Sequence, residues 1–476
     1  MSWKLFTCSL ALCLSNSIGS ACIAEEPPGS FAGIVKGLLS GSETAKSTTS
    51  NLKPTHELTK TIMVGSVGKI SPQSIALLST GKVACLMAED RYAAVGTDAK
   101  GDEKSAMVIV YSDAGEELKR FDLDFKAESI AAGPDEEIIV AGSGRFARFK
   151  STGDAIKSTE IPFIQKRLGD EELLKAGAIA RIDETNTLYQ GLVDSFKEQT
   201  ETRKAALEKA NEGIETAKAT LKDLQDGKTP VPEGSSIEAE TRKATLAVTR
   251  AERKAEIAKS NLESINENMK LYQDNIQEKT PENIAATVAS IKSTLTKVHC
   301  VSQHEDELFL ILSEEKGYGY ALWKTDLALS NASKCLEGLR GCCGQYHLQA
   351  CDDGLYCAEN TNYRLAKYAE DGKLLTSFGK KATTDDGGFT GCCNPMNVFV
   401  APSGTIYSAE SSGDVKRYTT DGELAAILVK EPKLQGGCRN MSFAVNEDLK
   451  RVYMCDLTNK SILIFNEMPQ TVATSN

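Results

Sequence analysis

The sequence has few of the side chains that carry metal and nucleotide chemistry. In 476 residues it has four histidines and two tryptophans, and aromatic residues make up 6% of the chain. It has no Walker A loop, no strand–helix Gly-rich fingerprint, no His-Glu-x-x-His and no Gly-x-Ser-x-Gly motif. These absences argue against the common nucleotide-binding, zinc-protease and serine-hydrolase classes, and they favour a protein that is not an enzyme.

Positive charge is also scarce, and long apolar runs are missing. Lys and Arg number 55 against 66 Asp and Glu, which gives a formal net charge of -11. A nucleic-acid surface needs clustered Lys and Arg to displace counterions, whereas here these residues interleave with Glu along one segment. After the N-terminal segment, no apolar run reaches the ~18 residues of a membrane-spanning helix. We therefore predict no nucleic-acid partner and no later transmembrane helix.

The first 24 residues have the layout of a signal peptide. Lys4 supplies the positive charge, residues 5–14 form a short apolar run, and small residues lead to a cleavage site near Ala24. This pattern predicts export, with a periplasmic or extracellular location. Gly-Ser-Ala-Cys ending at Cys22 also resembles a weak lipobox, so a lipid anchor through Cys22 is an alternative.

Turn sequences repeat along the rest of the chain. A tight polar turn before a short apolar strand recurs at 79–81, 134–136, 305–307, 352–354, 402–404 and 446–448. A second turn, built on Gly, follows in most units, at 114–115, 152–153, 371–372 and 421–422. Four short strands in a unit of about 50 residues are typical of one β-propeller blade. Six copies predict six blades, and the run 62–64 is placed to supply an outer strand that closes the ring.

Two of these units resemble a known repeat. Residues 394–410, which read Asn-Pro-Met-Asn-Val-Phe-Val-Ala-Pro-Ser-Gly-Thr-Ile-Tyr-Ser-Ala-Glu, closely resemble an NHL repeat, and the preceding unit at 356–374 is similar to it. The resemblance is strongest over 341–430 and weakest over 62–165. It implies a six-bladed propeller of the exported bacterial NHL type. Such propellers are mostly binding platforms, and some relatives are lyases or lactonases, so the resemblance implies the fold more than the activity.

Amides and acids in these repeats have two interpretations. A lactonase-like calcium site would use carboxylates and amides, and the candidates are Asn394, Asn440, Glu359 and Glu410. In NHL repeats, however, the Asn before Pro and the acid after the Tyr-x-Ala strand commonly hydrogen-bond the blade turns. We favour that structural role.

The histidines give little support to a metal enzyme. A metal-dependent propeller lyase needs several histidines that converge on the axis. The four present are His56, His299, His304 and His347. We expect only His299 and His347 to lie near inner strands, and we expect each to be a hydrogen-bonded polar residue.

Between the second and third blades the composition changes to Ala, Glu, Lys, Thr and Leu. Heptad a and d positions run from Tyr189 to Leu224 and again from Ile237 to Ile276, with a Pro/Gly turn at 226–234. Two such runs predict an antiparallel coiled-coil hairpin, each arm roughly 60 Å long. The arm is either an insertion without a role of its own or a surface that contacts a partner, the cell wall or another copy.

Cysteines cluster near the C-terminus. Of fourteen, nine lie between 335 and 455, and the runs 341–343, 391–393 and 437–438 occupy the same place in three successive blades. One hypothesis is a set of disulfides, either between neighbouring blades or as strained rings within each Cys-Cys pair, with Cys351–Cys357 as one such bridge. A second is a zinc or copper site at the channel mouth, and a third is redox activity or thiol trapping there. The candidate metal ligands are Cys342, Cys343, Cys392, Cys393 and Cys438.

These observations predict a mainly β chain: a six-bladed β-propeller with an inserted antiparallel α-helical coiled-coil hairpin. The predicted segments are a signal peptide at 1–24, a Ser/Thr/Pro-rich linker at 25–60, blades one and two at 61–165, the hairpin at 166–283, blades three to six at 284–467 and a tail at 468–476. The predicted function is an exported binding or scaffolding module without a cofactor. Its partner would be a protein or the cell envelope, with homo-oligomerisation through the arm as a further option. The alternative is a metal-dependent hydrolase or lyase at the cysteine-lined mouth.

Overall fold

The computed structural model describes residues 52–89, 105–315, 319–342, 345–382, 386–391, 393–430 and 441–469. The described chain is mostly β with a long helical insertion. It divides into two compact units, one within 179–284 and the other made of the remaining described residues. The predicted signal peptide, the alternative anchor at Cys22 and most of the linker lie outside the described residues.

Twenty-four strands form six four-stranded antiparallel sheets in the described chain. The strands before the helices are β1 (His56–Met63), β2 (Ile70–Leu77), β3 (Val83–Glu89), β4 (Ala106–Tyr111), β5 (Glu117–Leu123), β6 (Ser129–Ala132), β7 (Glu137–Gly142), β8 (Arg145–Lys150) and β9 (Ala155–Glu160). The third and fourth sheets contain β10 (Val298–His304), β11 (Glu307–Ser313), β12 (Tyr320–Asp326), β13 (Ser333–Leu339), β14 (His347–Cys351), β15 (Gly354–Glu359), β16 (Arg364–Tyr368) and β17 (Leu374–Phe378). The last strands are β18 (Asn397–Val400), β19 (Ile406–Ala409), β20 (Asp414–Tyr418), β21 (Leu424–Lys430), β22 (Phe443–Asn446), β23 (Arg451–Asp456) and β24 (Ser461–Glu467).

Five sheets take four consecutive strands each, and the sixth does not. The consecutive sheets are β2–β5, β6–β9, β10–β13, β14–β17 and β18–β21. In the sixth, β22, β23 and β24 are joined by β1, which pairs antiparallel with β24 from His56↔Glu467 to Met63↔Ser461. The predicted closing strand at 62–64 is confirmed in this pairing, which starts six residues earlier than the predicted run.

The sheets pack face to face in a closed order. Alternate residues of a strand point to opposite faces, so Ile138 and Val140 of β7 join a core shared with the first sheet, while Ile139 and Ala141 join one shared with the third. Three further cores lie between sheets three and four, four and five, and five and six. A sixth core returns from the last sheet to the first, where Tyr453 packs near Ile109. One edge strand of each sheet contacts the corresponding strand of the next sheet, so these six strands face a common axis. We call them the inner strands: β2, β6, β10, β14, β18 and β22.

The insertion contains four helices, α1 (Pro162–Gly169), α2 (Glu171–Gln225), α3 (Ile237–Asp274) and α4 (Pro281–Leu295). It runs from 162 to 295, longer than the predicted 166–283. The prediction placed residues from 284 onward in the third blade and missed α4. Thr280 caps this helix, its hydroxyl accepting from Asn283 N at 3.2 Å. None of the described helices combines the length and apolarity needed to cross a bilayer.

The two long helices contact each other in antiparallel order. In the first half of α2, Asn186 Nδ2 donates to the carbonyl of Gln277, just after the end of α3, at 2.7 Å. Thr200 Oγ1 lies 3.4 Å from Asn266 Oδ1 further along. Between Tyr189 and Ile276, the buried positions belong to the predicted heptad seam: Val193, Thr200, Leu224, Ala244 and Ala255.

The first helix is fixed to the third sheet by a buried ion pair. Arg167 Nε donates to Glu315 Oε1 at 2.5 Å, and its Nη2 donates to Ser313 O at 2.6 Å. Phe163 stacks on Trp323 with ring centroids 5.1 Å apart. Separating a buried ion pair leaves a charge without its partner, which costs free energy. This contact therefore holds the start of the insertion to the sheet.

Candidate functional site

A polar cavity lies where the inner strands of all six sheets meet. The space between these strands is about 600 Å³ when open solvent is included, and the centre of a water-sized molecule can occupy about 40 Å³ of it. In five of the inner strands, a polar side chain at or just before the first residues lines the cavity. In β2, the polar side chain lies at a bulge between Pro72 and Ser74. Taken around the axis, these are Gln73, Glu128, His299, His347, Asn397 and Ser442. We designate this space the axial cavity.

Side chains from one inner strand hold the backbone of the next. Inner strands do not pair with one another, so the backbone N–H and C=O groups on their unpaired edges need other hydrogen-bond partners. Ile75 N donates to Ser442 Oγ at 3.0 Å, and Val301 N donates to Ser129 Oγ at 2.9 Å. The same type of bond occurs from Ala350 N to Ser302 Oγ, from Val400 N to Gln349 Oε1 and from Asn397 Nδ2 to Met441 O.

One seam lacks this type of bond. Within the described strands β2 and β6, no side-chain hydrogen bond joins the two. Gln73 Nε2 instead donates to Ser71 O and Oγ on its own strand, at 3.3 and 3.0 Å. The Ser74 hydroxyl, on the cavity wall, is buried and has no hydrogen-bond partner. A buried polar atom without a partner is uncommon in a folded protein.

The two histidines of the cavity are neutral or hydrogen-bonded. Burial lowers the pKa of His347 to about 4, and its Nδ1 lies 3.5 Å from Val398 N. His299 Nε2 lies 2.9 Å from Ser313 Oγ, and its ring meets Tyr320 edge-on at 4.6 Å. Both lie on inner strands, as expected, and both have polar partners.

A single acid lies among the described lining residues. Glu128 Oε2 accepts from Val298 N at 2.9 Å and so helps to hold β10. Glu128 is thus the acidic residue of the described lining. Among the described residues, no group of three or more His, Cys, Asp or Glu is arranged to hold a metal ion.

The acids singled out from the repeat pattern are bound within their own blade turns. Glu359 accepts from Arg364 Nε at 2.5 Å and from Asn362 Nδ2 at 2.8 Å. Glu410 pairs with buried Lys416. Burial raises the pKa of Glu410, and the charge and hydrogen bond of Lys416 oppose that rise.

Asn394 Oδ1 accepts from Ser411 N at 2.8 Å, which is the predicted turn role. Asn440 lies outside the described residues. Glu359 and Glu410 belong to different sheets and each has its own cation, so these side chains do not converge on one ion.

Two of the five candidate cysteines are described, and they touch. The Sγ atoms of Cys342 and Cys393 are 2.6 Å apart, although the residues belong to successive sheets. Cys343, Cys392 and Cys438 lie outside the described residues.

The suggested Cys351–Cys357 bridge is wrong. Cys351 lies opposite Gly354 and Cys357 opposite Leu348. The two thiols pack into different cores on opposite faces of the sheet, and both are free.

Sequence reasoning missed four of the six side chains that we place around the axis. Gln73, Glu128, Asn397 and Ser442 were not singled out. Their shared signal is positional, since three lie at or just before the first residue of an inner strand and Gln73 lies inside β2. The signal becomes visible only when the start of each inner strand is known.

No protein family and no curated protein matches the sequence. Among solved structures, one assigned as a gluconolactonase is 10% identical, with 87% of this chain and 94% of that chain covered and a TM-score of 0.40. A calcium-binding protein, regucalcin, from Agrobacterium tumefaciens strain C58 is also 10% identical, with 87% and 95% covered and a TM-score of 0.39. Likeness at this level indicates no activity, so the site must be judged by its own chemistry.

Proposed function

We propose that this chain is an NHL-like six-bladed β-propeller that acts as a binding module. Its ligand site would be the axial cavity. The observation that carries the proposal is that polar side chains from six sheets converge on one space. Pockets with a few convergent polar groups at the mouth of a closed sheet assembly are the usual ligand sites of such folds.

The lining favours a small ligand that is rich in hydrogen-bonding groups and either neutral or cationic. Gln73 and Asn397 carry amides, which both donate and accept. The Ser74 hydroxyl is unsatisfied. Glu128 is an acid, and neither Lys nor Arg is present among the described lining residues.

The same lining is poorly suited to proton-transfer catalysis. A general base works best when its pKa is near the operating pH. Burial holds the pKa of His347 near 4, so it is neutral but weakly basic at physiological pH. The Nε2 atom of His299 is engaged by Ser313. Binding therefore fits these side chains better than acid–base chemistry.

Glu128→Gln is the central test of the site. Glutamine keeps an acceptor for Val298 N and removes the charge. A panel of polyols, neutral sugars, amino sugars and sugar acids is screened by thermal shift, since a ligand that binds the folded state raises the midpoint. Affinities are then measured by calorimetry. We expect stabilisation by neutral or amino sugars and not by acids. E128Q should weaken the binding of amino sugars at least about tenfold, the effect of one lost charge-assisted contact.

Glu117→Gln, on the exposed outer strand β5, is the matched control and should leave these affinities unchanged. The proposal fails if no panel member stabilises the protein, if the sugar acids bind best, or if E128Q and E117Q have the same affinities as the wild type.

The helical hairpin would be a second contact surface on an exported protein. Ordering about 80 residues into an arm costs conformational entropy, which favours a role in contact with a cell-envelope partner or another copy. Light scattering of the 51.3 kDa chain tests the oligomer. The wild-type protein should have the mass of at least two chains, and replacing 186–279 with a short linker should reduce it to the mass of one shortened chain. A variant that keeps the same number of chains excludes oligomerisation through the arm.

The alternative function, a metal-dependent hydrolase or lyase, draws on the cysteines beside the cavity. It requires at least three ligand atoms around one ion. Elemental analysis of protein purified without reductant separates the two functions. Stoichiometric zinc or copper supports the enzyme, and metal-free protein that still binds a panel ligand supports the binding module.

A further inference from the structure

We propose that Cys342 and Cys393 form a disulfide bond that joins the fourth and fifth sheets at the rim of the axial cavity. Their Sγ atoms are 2.6 Å apart. Two sulfur atoms that are not bonded to each other usually stay about 3.5 Å or more apart, so this separation is much closer than an ordinary sulfur–sulfur contact. The two residues are 51 positions apart and precede the inner strands of different sheets.

Packing on both sides holds the two sulfurs together. Cys393 is 2% exposed and lies in the core between the fifth and sixth sheets, and Cys342 packs against that same core. The backbone of Cys342 is also fixed, because its N–H donates to Asn360 Oδ1 at 2.8 Å and its carbonyl accepts from Gln345 N at 3.1 Å. The sulfur contact is therefore built into the core and does not depend on a chance approach of surface side chains.

The separation also distinguishes a disulfide from a shared metal ion. Zinc binds thiolates at about 2.3 Å in tetrahedral geometry, which places two sulfur ligands roughly 3.7 Å apart. The sulfurs of Cys342 and Cys393 are closer than that. A covalent bond needs them to approach further, whereas a metal ion would need them to separate.

The bond would form by thiol–disulfide exchange with an oxidised partner, either glutathione disulfide or a protein disulfide. One thiol loses its proton and its thiolate attacks a sulfur of the partner, which gives a mixed disulfide and releases the first partner thiol. The second cysteine, once deprotonated, displaces the other partner thiol. Two electrons pass to the partner, and the two protons end on its two thiols.

Other cysteines of the described chain lack this arrangement. Cys85 and Cys300 are buried in the cores, and burial raises the pKa of each to about 12. A thiol with so high a pKa forms little thiolate and reacts slowly. They serve as internal references that should stay reduced.

The bond would connect two segments that line the cavity. Residues 345–347 follow Cys342 closely and supply Gln345, Tyr346 and His347, and residues 396–397 follow Cys393 and supply Met396 and Asn397. The proposal is independent of which ligand, if any, the cavity binds.

Peptide mapping tests the bond directly. The full chain is purified without reductant, alkylated while denatured and digested with trypsin. We expect residues 341–364 and 382–416 to elute as one linked species that separates on reduction. The link should persist in the C343S/C392S variant, which removes the neighbouring cysteines. It should be absent from C342S/C393S.

Stability gives a second readout. Since a native disulfide restricts the unfolded chain, reductant should lower the thermal midpoint of the wild type by roughly 5 °C or more and leave C342S/C393S unchanged. Separate peptides with every cysteine alkylated would overturn the proposal. So would rings within each Cys-Cys pair, which appear as unlinked peptides 2 Da light, or stoichiometric zinc or copper with alkylated thiols. If C342S/C393S does not fold, mapping of the wild type and of C343S/C392S still decides.

Discussion

Replacing Lys416 with methionine tests whether Glu410 is a structural acid of its blade turn. Lys416 Nζ pairs with Glu410, donates to Gly388 O at 2.7 Å and lies 5.6 Å from the ring centroid of Phe389. The two side chains are 3% and 0% exposed. Methionine has a similar length and no charge. The variant therefore leaves a buried carboxyl group without its counter-charge.

The magnitude follows from proton uptake by Glu410. Its pKa is already raised above 4.5 by burial, against the opposing charge of Lys416. Without Lys416, the carboxyl group of Glu410 is protonated in the folded state. Taking up that proton lowers the free energy of unfolding by about 1.36 kcal/mol for each pH unit above 4.5. The charge contribution is then about 3.4 kcal/mol at pH 7 and about 0.7 kcal/mol at pH 5. The lost hydrogen bond adds about 1 kcal/mol at both pH values. Because the folded pKa is the higher one, the variant's stability decreases as the pH rises.

Urea unfolding at pH 5 and pH 7, followed by tryptophan fluorescence, measures these differences. We expect K416M to lose up to about 4 kcal/mol at pH 7 and up to about 2 kcal/mol at pH 5, since the raised pKa of Glu410 in the wild type already carries part of this cost. Adding E410Q should remove most of the pH-dependent part, since the amide is neutral at both pH values. Lys373→Met, at an exposed position, should change the free energy of unfolding by less than about 0.5 kcal/mol. Equal losses at the two pH values, or no recovery in K416M/E410Q, would refute the reasoning.

Two further substitutions test the fold. Arg167→Met should lower the free energy of unfolding at pH 7 by about 3–5 kcal/mol, because it leaves the buried carboxylate of Glu315 unpaired; a loss under about 1 kcal/mol in urea unfolding would contradict the anchoring role. Gly422→Ala should cost more than about 2 kcal/mol, since φ is +83° and the new Cβ would overlap the Phe378 ring. Gly404→Ala has a similar φ of +82° with no atom nearby, so it should cost only about 1 kcal/mol. Equal thermal midpoints for the two alanine variants would exclude the steric contribution.

Local sequence signals predicted the parts of the fold that depend on near neighbours. Turn glycines with positive φ, such as Gly372 and Gly422, mark hairpins because L-residues with a Cβ avoid that conformation. The heptad seam predicted the antiparallel helices, since Val193 and Ala255 are buried where the pattern places them. The helix α4 was missed, although its start at Pro281 is a typical first-turn position.

The axial cavity could not be predicted in the same way. It is assembled from single residues that lie as far apart as Gln73 and Ser442, and no local pattern distinguishes them from other polar residues. The contact between the two cysteines could be predicted only in part. Its register in successive blades was visible, but the contact of Cys342 with Cys393 depends on how two sheets pack.

The pairing of β1 with β24 sets the earliest time at which β1 can fold. His56 lies opposite Glu467, 411 residues later, and ribosomes add about 5–20 residues each second, so β1 waits roughly 20–80 s for its partner. The helical hairpin, whose contacts are local, can form during this interval. A nascent chain that stops before Ser461 leaves β1 as an unpaired edge, and such edges recruit other chains. Completion of β24 therefore decides whether β1 is protected from aggregation.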